Sequence, residues 1–94
     1  MAVVLVSMAV AVRAAAATST WNQASGNWDT TTSNWTGAAW VNGNDAVFGG
    51  TAGSTITITT SGISAASLTF NVNGDTIAGS VTNNLTLLGS VSLS

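Results

Sequence analysis

The sequence predicts an all-β fold, and three observations lead to that prediction. Apolar and polar residues alternate with period two through residues 55–60, 67–73 and 84–88, which is typical of half-buried strands. Polarity comes from Thr, Ser, Asn and Gly rather than from charge, since the 94 residues include one basic and three acidic side chains. Threonine favours strands, and pairs such as Asn42-Gly43 and Asn73-Gly74 favour tight turns between them.

Each alternating segment predicts a strand with one apolar face, and residues 46–48, 76–77 and 91–94 add shorter strands. Side chains alternate across a strand, so the apolar set should point inward together. The inward set is Ile56, Ile58, Leu68, Phe70, Leu85 and Leu87, and the outward set is Thr57, Thr69 and Thr86.

These strands are expected to stack in parallel as the rungs of a solenoid. Small polar side chains dominate the outward positions, and the charged residues that protect the edges of ordinary sheets are missing. Asn73-Gly74 could instead close a type I′ hairpin, which leaves an antiparallel β-sandwich as the alternative. The alternation runs on to Leu93 and Ser94, so we expect further rungs beyond this chain, because solenoids need several repeats and a cap.

Residues 1–17 are predicted to be a signal peptide. The apolar run of residues 2–12 is too short to span a bilayer, which needs about 20 residues, but it fits the apolar region of an export signal. Four alanines at residues 14–17 offer a cleavage site after Ala17 or one residue earlier. We therefore expect a secreted or cell-surface protein.

Composition excludes several function classes. After Arg13 there is no Lys, Arg or His, so binding to nucleic acid or to an anionic membrane surface lacks the cations it requires. The chain has no Cys, and therefore no disulfide. The Ser and Thr hydroxyls have no His or Lys to activate them. We expect no enzymatic activity and no cofactor.

Three aspartates, Asp29, Asp45 and Asp75, are the candidates for acid chemistry or for a metal. All three lie in Asn- and Gly-rich contexts, where Asp accepts hydrogen bonds from turn backbone, and this interpretation is favoured over catalysis. Residues 43–50 resemble one turn of a calcium-binding β-roll, but that turn occurs once and supplies one carboxylate. No metal site is predicted.

Residues 18–50 form a tryptophan-rich region, and residues 51–94 form the rungs. The four tryptophans are Trp21, Trp28, Trp35 and Trp40. The segments 27–29 and 34–36 are predicted to be one turn-and-strand unit used twice. The tryptophans are expected to cap the open end of the solenoid, where their rings would cover apolar core and backbone. The alternative is an exposed surface for stacking on glycans.

These motifs, in this order, resemble the start of bacterial autotransporter-associated β-strand repeat proteins. The resemblance runs from Trp21 through residues 26–29, 34–35, 40 and 42–49 to residues 56–58, 67–71 and 85–87. It covers nearly all of the chain after the signal. One departure is Asp75, which stands where this family often has an aromatic residue.

The resemblance implies a right-handed parallel β-helix in an exported passenger region. Its expected role is structural or adhesive at the bacterial outer membrane or outside the cell, with contacts to glycans or to a cell surface. Its nearest partner would be further repeats of the same chain, and membrane contact would go through an anchor outside these 94 residues. The alternatives are a carbohydrate-binding module that uses the tryptophans, or the N-terminal part of a larger exported enzyme.

Overall fold

The fold, described by a computed structural model over residues 16–93, consists of nine short β-strands in that range and no helix. The strands are β1 (Thr18–Trp21), β2 (Gly26–Trp28), β3 (Asp45–Phe48), β4 (Thr55–Ile58), β5 (Ile63–Ala65), β6 (Ser67–Phe70), β7 (Thr76–Ala78), β8 (Leu85–Leu87) and β9 (Val91–Leu93). The all-β prediction is confirmed. Residues 1–15 of the predicted signal lie outside the described range.

The strands form three sheets, and every pairing within residues 16–93 is parallel. Sheet A has the order β1-β3-β6-β9, sheet B has β2-β4-β7, and sheet C has β5-β8. The antiparallel β-sandwich alternative is therefore wrong. The type I′ hairpin at Asn73-Gly74 is also wrong, because that turn joins β6 of sheet A to β7 of sheet B. Gly74 has a φ of 81°, which glycine adopts without strain.

The chain visits the sheets in a repeating order. Along the sequence the strands belong to sheets A, B, A, B, C, A, B, C and A. From β3 onward, paired residues lie 22 positions apart for Ala46 and Leu68, and 23 apart for Leu68 and Val91. The first interval is longer, at 27 positions for Ser19 and Ala46. The additional residues fall in residues 29–44, which contain no strand and are named the tryptophan loop.

The predicted inside and outside faces are confirmed. Ile56, Ile58 and Leu68 are buried, while Phe70, Leu85 and Leu87 are partly buried and pack against the core. Among the outward set, Thr57 and Thr69 are partly exposed and Thr86 is exposed. Burial decreases toward the last strands, where the side chain of Leu93 is 81% exposed. The most deeply buried part of the core therefore lies at the tryptophan-rich end, and exposure of the apolar side chains increases toward β9.

Three local predictions differ from the structure. The strands β1 and β5 were not expected, because Thr18–Trp21 holds one large apolar residue and Ile63–Ala65 is short and rich in small residues. Residues 34–36 do not repeat the strand formed by residues 26–28. They lie in a turn instead, and Thr36 has a φ of 51°, a left-handed conformation that no strand contains.

Sheets A and B both run across the boundary drawn at residue 50. β1 and β3 of the tryptophan-rich region share sheet A with β6 and β9, and β2 shares sheet B with β4 and β7. Within residues 16–93, no helix reaches the length and hydropathy that a membrane span requires.

Candidate functional site at the tryptophan-rich end

All four tryptophans meet in one buried aromatic cluster. Trp21 and Trp28 are completely buried, and Trp35 and Trp40 are 2% exposed. Ring centroids lie 5.2 Å apart for Trp21 and Trp35, 4.9 Å for Trp28 and Trp35, and 4.6 Å for Trp35 and Trp40. Phe48 completes the cluster, 5.7 Å from Trp28. Tilted and edge-to-face contacts of this kind add stabilisation beyond the burial of apolar area.

Two different parts of the chain bring these rings together. Trp21 and Trp28 end strands β1 and β2 and point inward, where they align with Phe48 and Ile58 of the next strands in their sheets. Trp35 and Trp40 come from the tryptophan loop. A tight turn positions Trp35, because its amide and carbonyl groups bond to the carbonyl and amide of Ala38 at 3.0 and 3.3 Å.

Burial makes the alternative of an exposed stacking surface wrong. A glycan needs an accessible ring face, and none of the four rings offers one. The indole N–H of Trp21 donates to the Ala24 carbonyl at 2.9 Å, and that of Trp40 donates to Asn42 Oδ1 at 3.0 Å. The indole N–H groups of Trp28 and Trp35 are buried without a partner in the described residues. The rings fill the end of the core and leave no surface for a sugar.

A side chain of the tryptophan loop occupies a backbone acceptor on the free edge of sheet A. The Trp21 carbonyl accepts from the Gly49 amide beside β3 at 2.8 Å, so the carbonyl of the preceding Thr20 faces the opposite, open side of β1. The Thr36 hydroxyl donates to that Thr20 carbonyl at 2.6 Å. An edge acceptor that would otherwise be free is therefore occupied.

A backbone acceptor on the free edge of sheet B is also occupied by a side chain of the tryptophan loop. The Trp28 carbonyl accepts from the Thr59 amide beside β4 at 3.2 Å, which turns the Asn27 carbonyl toward the open side of β2. The Asn34 side-chain amide donates to the Asn27 carbonyl at 2.9 Å. Asn34 and Thr36, two residues apart in one turn, thus serve two different sheets.

Sheet C begins at β5, and here backbone and side chain act together. The Ser64 amide donates to Asn42 Oδ1 at 2.9 Å, while the Ser64 carbonyl accepts from the Gly43 amide at 2.9 Å. Asn42 Oδ1 also accepts from the Trp40 indole, so one amide oxygen joins the aromatic cluster to the edge of the sheet. Each sheet therefore receives one side-chain hydrogen bond at this end.

Sequence reasoning named the tryptophans but missed Asn34, Thr36 and Asn42. Asn and Thr are common in turns, and their composition gives no sign that three of them reach the edges of three sheets. The available signal was the length of the strandless segment between Trp28 and Asp45, which exceeds what a turn between neighbouring strands needs.

The aspartates are structural, but only one acts within its own turn. Asp29 accepts the Thr32 amide at 2.7 Å and the Thr31 amide at 3.1 Å, as the turn interpretation predicts. These bonds, with that from the Thr32 amide foremost, lower the pKa of Asp29 below its ordinary value. Asp75 also accepts a backbone amide, but that of Ser54, 21 residues away in the sequence, and Asp45 accepts the Ser67 hydroxyl instead of a backbone group.

Calcium is expected to leave the protein unaffected. Asp45 Oδ1 accepts from the Ser67 hydroxyl at 2.7 Å, and residues 16–93 hold no group of three or more potential metal-ligating side chains. A dication held by one carboxylate binds weakly. Millimolar Ca²⁺ should leave the melting temperature unchanged within error. A saturable rise, absent in Asp45→Asn, would reveal a site at this turn.

The end of the core opposite the tryptophans is open. β7, β8 and β9 are the last strands of their sheets, and no side chain within the described residues bonds to their outer edges. The exposed apolar side chains Leu88, Val91 and Leu93 lie at or beside these edges. The two ends of one core are therefore chemically different.

Comparison with known proteins adds no relative. The chain matches no protein-family model, no curated protein and no solved structure. The geometry of the two ends and the motifs of the sequence are consequently the basis for assigning a function.

Proposed function

We propose that this chain is the first part of an exported structural protein of the bacterial cell surface, built as a parallel β-helix with the tryptophan-rich region as its cap. The observation that carries the proposal is the repeating order in which the chain visits sheets A, B and C, with parallel pairing at nearly constant spacing. Successive turns stacked along one axis account for that order.

The difference between the two ends supports the direction of stacking. Asn34, Thr36 and Asn42 occupy edge groups at the tryptophan-rich end, and the aromatic cluster covers the core there. At the other end, edges and apolar side chains stay accessible. A solenoid needs a cap at each terminus, and only the first is built within residues 16–93. The accessible edges of β7, β8 and β9 are therefore the side on which a further parallel turn would stack.

A structural role also agrees with how the polar groups are used. Asp29 holds a turn, whereas Asp45 and Asp75 each join two turns of the chain. Outward strand positions carry Thr and Ser in register, as in the pairs Thr69 with Ser92 and Ser64 with Thr86. The function therefore lies in length, rigidity and a repeated surface, with adhesion through that surface as the expected contact with other cells or glycans.

Export is the part of the proposal that one experiment tests directly. We expect the exported protein to lack its first 16 or 17 residues. The structure favours the shorter removal, because the Ala17 carbonyl accepts the Asp45 amide at 2.8 Å and is lost if cleavage follows Ala17. Expression in a bacterium with an outer membrane, followed by mass measurement of the periplasmic or secreted protein, gives the cleavage site.

A pair of matched variants makes this test specific. Val6→Asp places a charge in the apolar run of residues 2–12 and should retain the protein in the cytoplasm with its N-terminus intact. Val41→Asp introduces the same charge at a side chain that is 61% exposed, and export should continue. An unmodified chain that begins at Met1 and stays in the cytoplasm would refute the export proposal.

A further inference from the structure

One position recurs in each turn, immediately before the strand of sheet B. It is occupied by Ser25 before β2, Ser54 before β4 and Asp75 before β7. Extended by one residue, the strand register places Ser25 opposite Thr55 and Ser54 opposite Asp75. We name them the joint column.

Two side chains of the joint column, those of Ser25 and Asp75, each accept the backbone amide of the residue opposite them in the adjoining turn, whereas the Ser54 hydroxyl donates to the Thr51 carbonyl. Ser25 Oγ accepts the Thr55 amide at 2.8 Å, and Asp75 Oδ1 accepts the Ser54 amide at 2.9 Å. The first bond reaches forward to the next turn, and the second reaches back to the previous one. A joint side chain can therefore bond in either direction along the stack.

The hydrogen bond from the Ser54 amide uses only one of the two carboxylate oxygens of Asp75. Its Oδ2 is buried and has no hydrogen-bond partner within the described residues. Asp75 also lines a cavity of about 260 Å³ at the open end, together with Phe70 and Leu93. An unpaired buried oxygen of a carboxylate is unfavourable, and a donor arriving at this end would relieve it.

We infer that Asp75 is a two-sided joint, whose Oδ1 holds the previous turn and whose Oδ2 receives a backbone amide of the next turn. This inference rests on the proposed β-helix. The group that donates to Oδ2 would belong to a further parallel turn of the same polypeptide. Parallel pairing between successive turns already occurs three times in sheet A and twice in sheet B. The bond from the Thr55 amide to Ser25 is the internal precedent for the forward contact.

The test adds one turn to the chain. A copy of residues 49–70 is appended directly after Leu93, which occupies the row of Phe48 and Phe70 in sheet A. The copy of Ser54 then aligns with Asp75. Asp75→Asn is compared in the original and in the extended chain by thermal unfolding, and hydrogen exchange follows the amide of the copied serine.

The expected effects of Asp75→Asn differ between the two chains. In the original chain, the asparagine oxygen still accepts the Ser54 amide and no buried charge remains, so the melting temperature should stay the same or rise. In the extended chain, two backbone amides point at this side chain, and asparagine has only one oxygen to accept them. Whichever way the side-chain amide is turned, its NH₂ group faces one of the two backbone N–H groups. Loss of one buried hydrogen bond should lower the melting temperature by roughly 4–8 °C and increase exchange at the copied serine.

Asp45→Asn is the matched control, because Asp45 joins two turns that are present in both chains. Its shift in melting temperature should be the same with and without the added turn. An ordered added turn that tolerates Asp75→Asn as well as the original chain does would overturn the role of Asp75 and leave the β-helix proposal standing. An added turn that remains unordered with Asp75 intact would overturn both.

Discussion

Trp28→Ala is expected to cost about 3–5 kcal/mol of folding free energy, the range for removing a fully buried large aromatic side chain. Trp28 is completely buried and contacts Trp35, Trp40 and Phe48 at centroid distances of 4.9, 4.9 and 5.7 Å. Domains are typically stable by about 5–15 kcal/mol, so this loss removes a large share of the free energy of unfolding. Urea unfolding followed by circular dichroism measures it.

Phenylalanine substitutions separate ring packing from hydrogen bonding. Trp28→Phe keeps one aromatic ring and removes an indole N–H that has no partner among residues 16–93, so it should be the milder change. Trp40→Phe removes an N–H that donates to Asn42 Oδ1, and with it the link between the cluster and the edge of sheet C. If Trp28→Phe proved more destabilising than Trp40→Phe, the unpaired indole would have to be satisfied in solution.

Phe70→Asp should abolish folding of the strands beyond β4, whereas Thr69→Asp should cost less than about 1 kcal/mol, as surface changes usually do. Phe70 stacks on Phe48 with a centroid distance of 4.8 Å and an interplanar angle of 12°. An unpaired carboxylate in that place would be desolvated against an aromatic ring. Thr69 lies in the outward row between Val47 and Ser92.

Circular dichroism and thermal unfolding of the two variants decide this prediction. They differ by one position and carry the same new charge, so net charge cannot explain a difference between them. A folded Phe70→Asp beside an unfolded Thr69→Asp would reverse the assignment of inside and outside faces, since a shift of one residue exchanges the two.

Periodicity predicted the strands whose apolar residues are large. Ile56 and Ile58, or Leu85 and Leu87, leave a clear alternating pattern, because each must be hidden on one side. β5 was missed because it holds one large apolar residue, Ile63, beside the small Ser64 and Ala65. Ala65 is completely buried by strands distant in sequence, and burial of that kind leaves little trace in a local window of sequence.

The tryptophans illustrate what composition can and cannot predict about a site. Four large aromatic residues in one region predicted an unusual structural role, and their number and position are those of the observed cluster. Whether they would be buried or exposed depended on the path of the tryptophan loop. Asn34 and Thr36 donate hydrogen bonds along that path and Asn42 accepts one, and their partners lie 7, 16 and 22 residues away in the sequence.

The unlike ends of the core also limit how two molecules can associate. A fibre requires a head-to-tail contact that repeats, in which the open end of one molecule docks on the opposite end of the next. At that opposite end, an incoming strand would have to displace the side chains of Asn34, Thr36 and Asn42 from the edges they occupy. The remaining contact brings two open ends face to face about a two-fold axis. Such a contact is complete with two molecules, so the edge groups occupied at the tryptophan-rich end disfavour growth into a fibre.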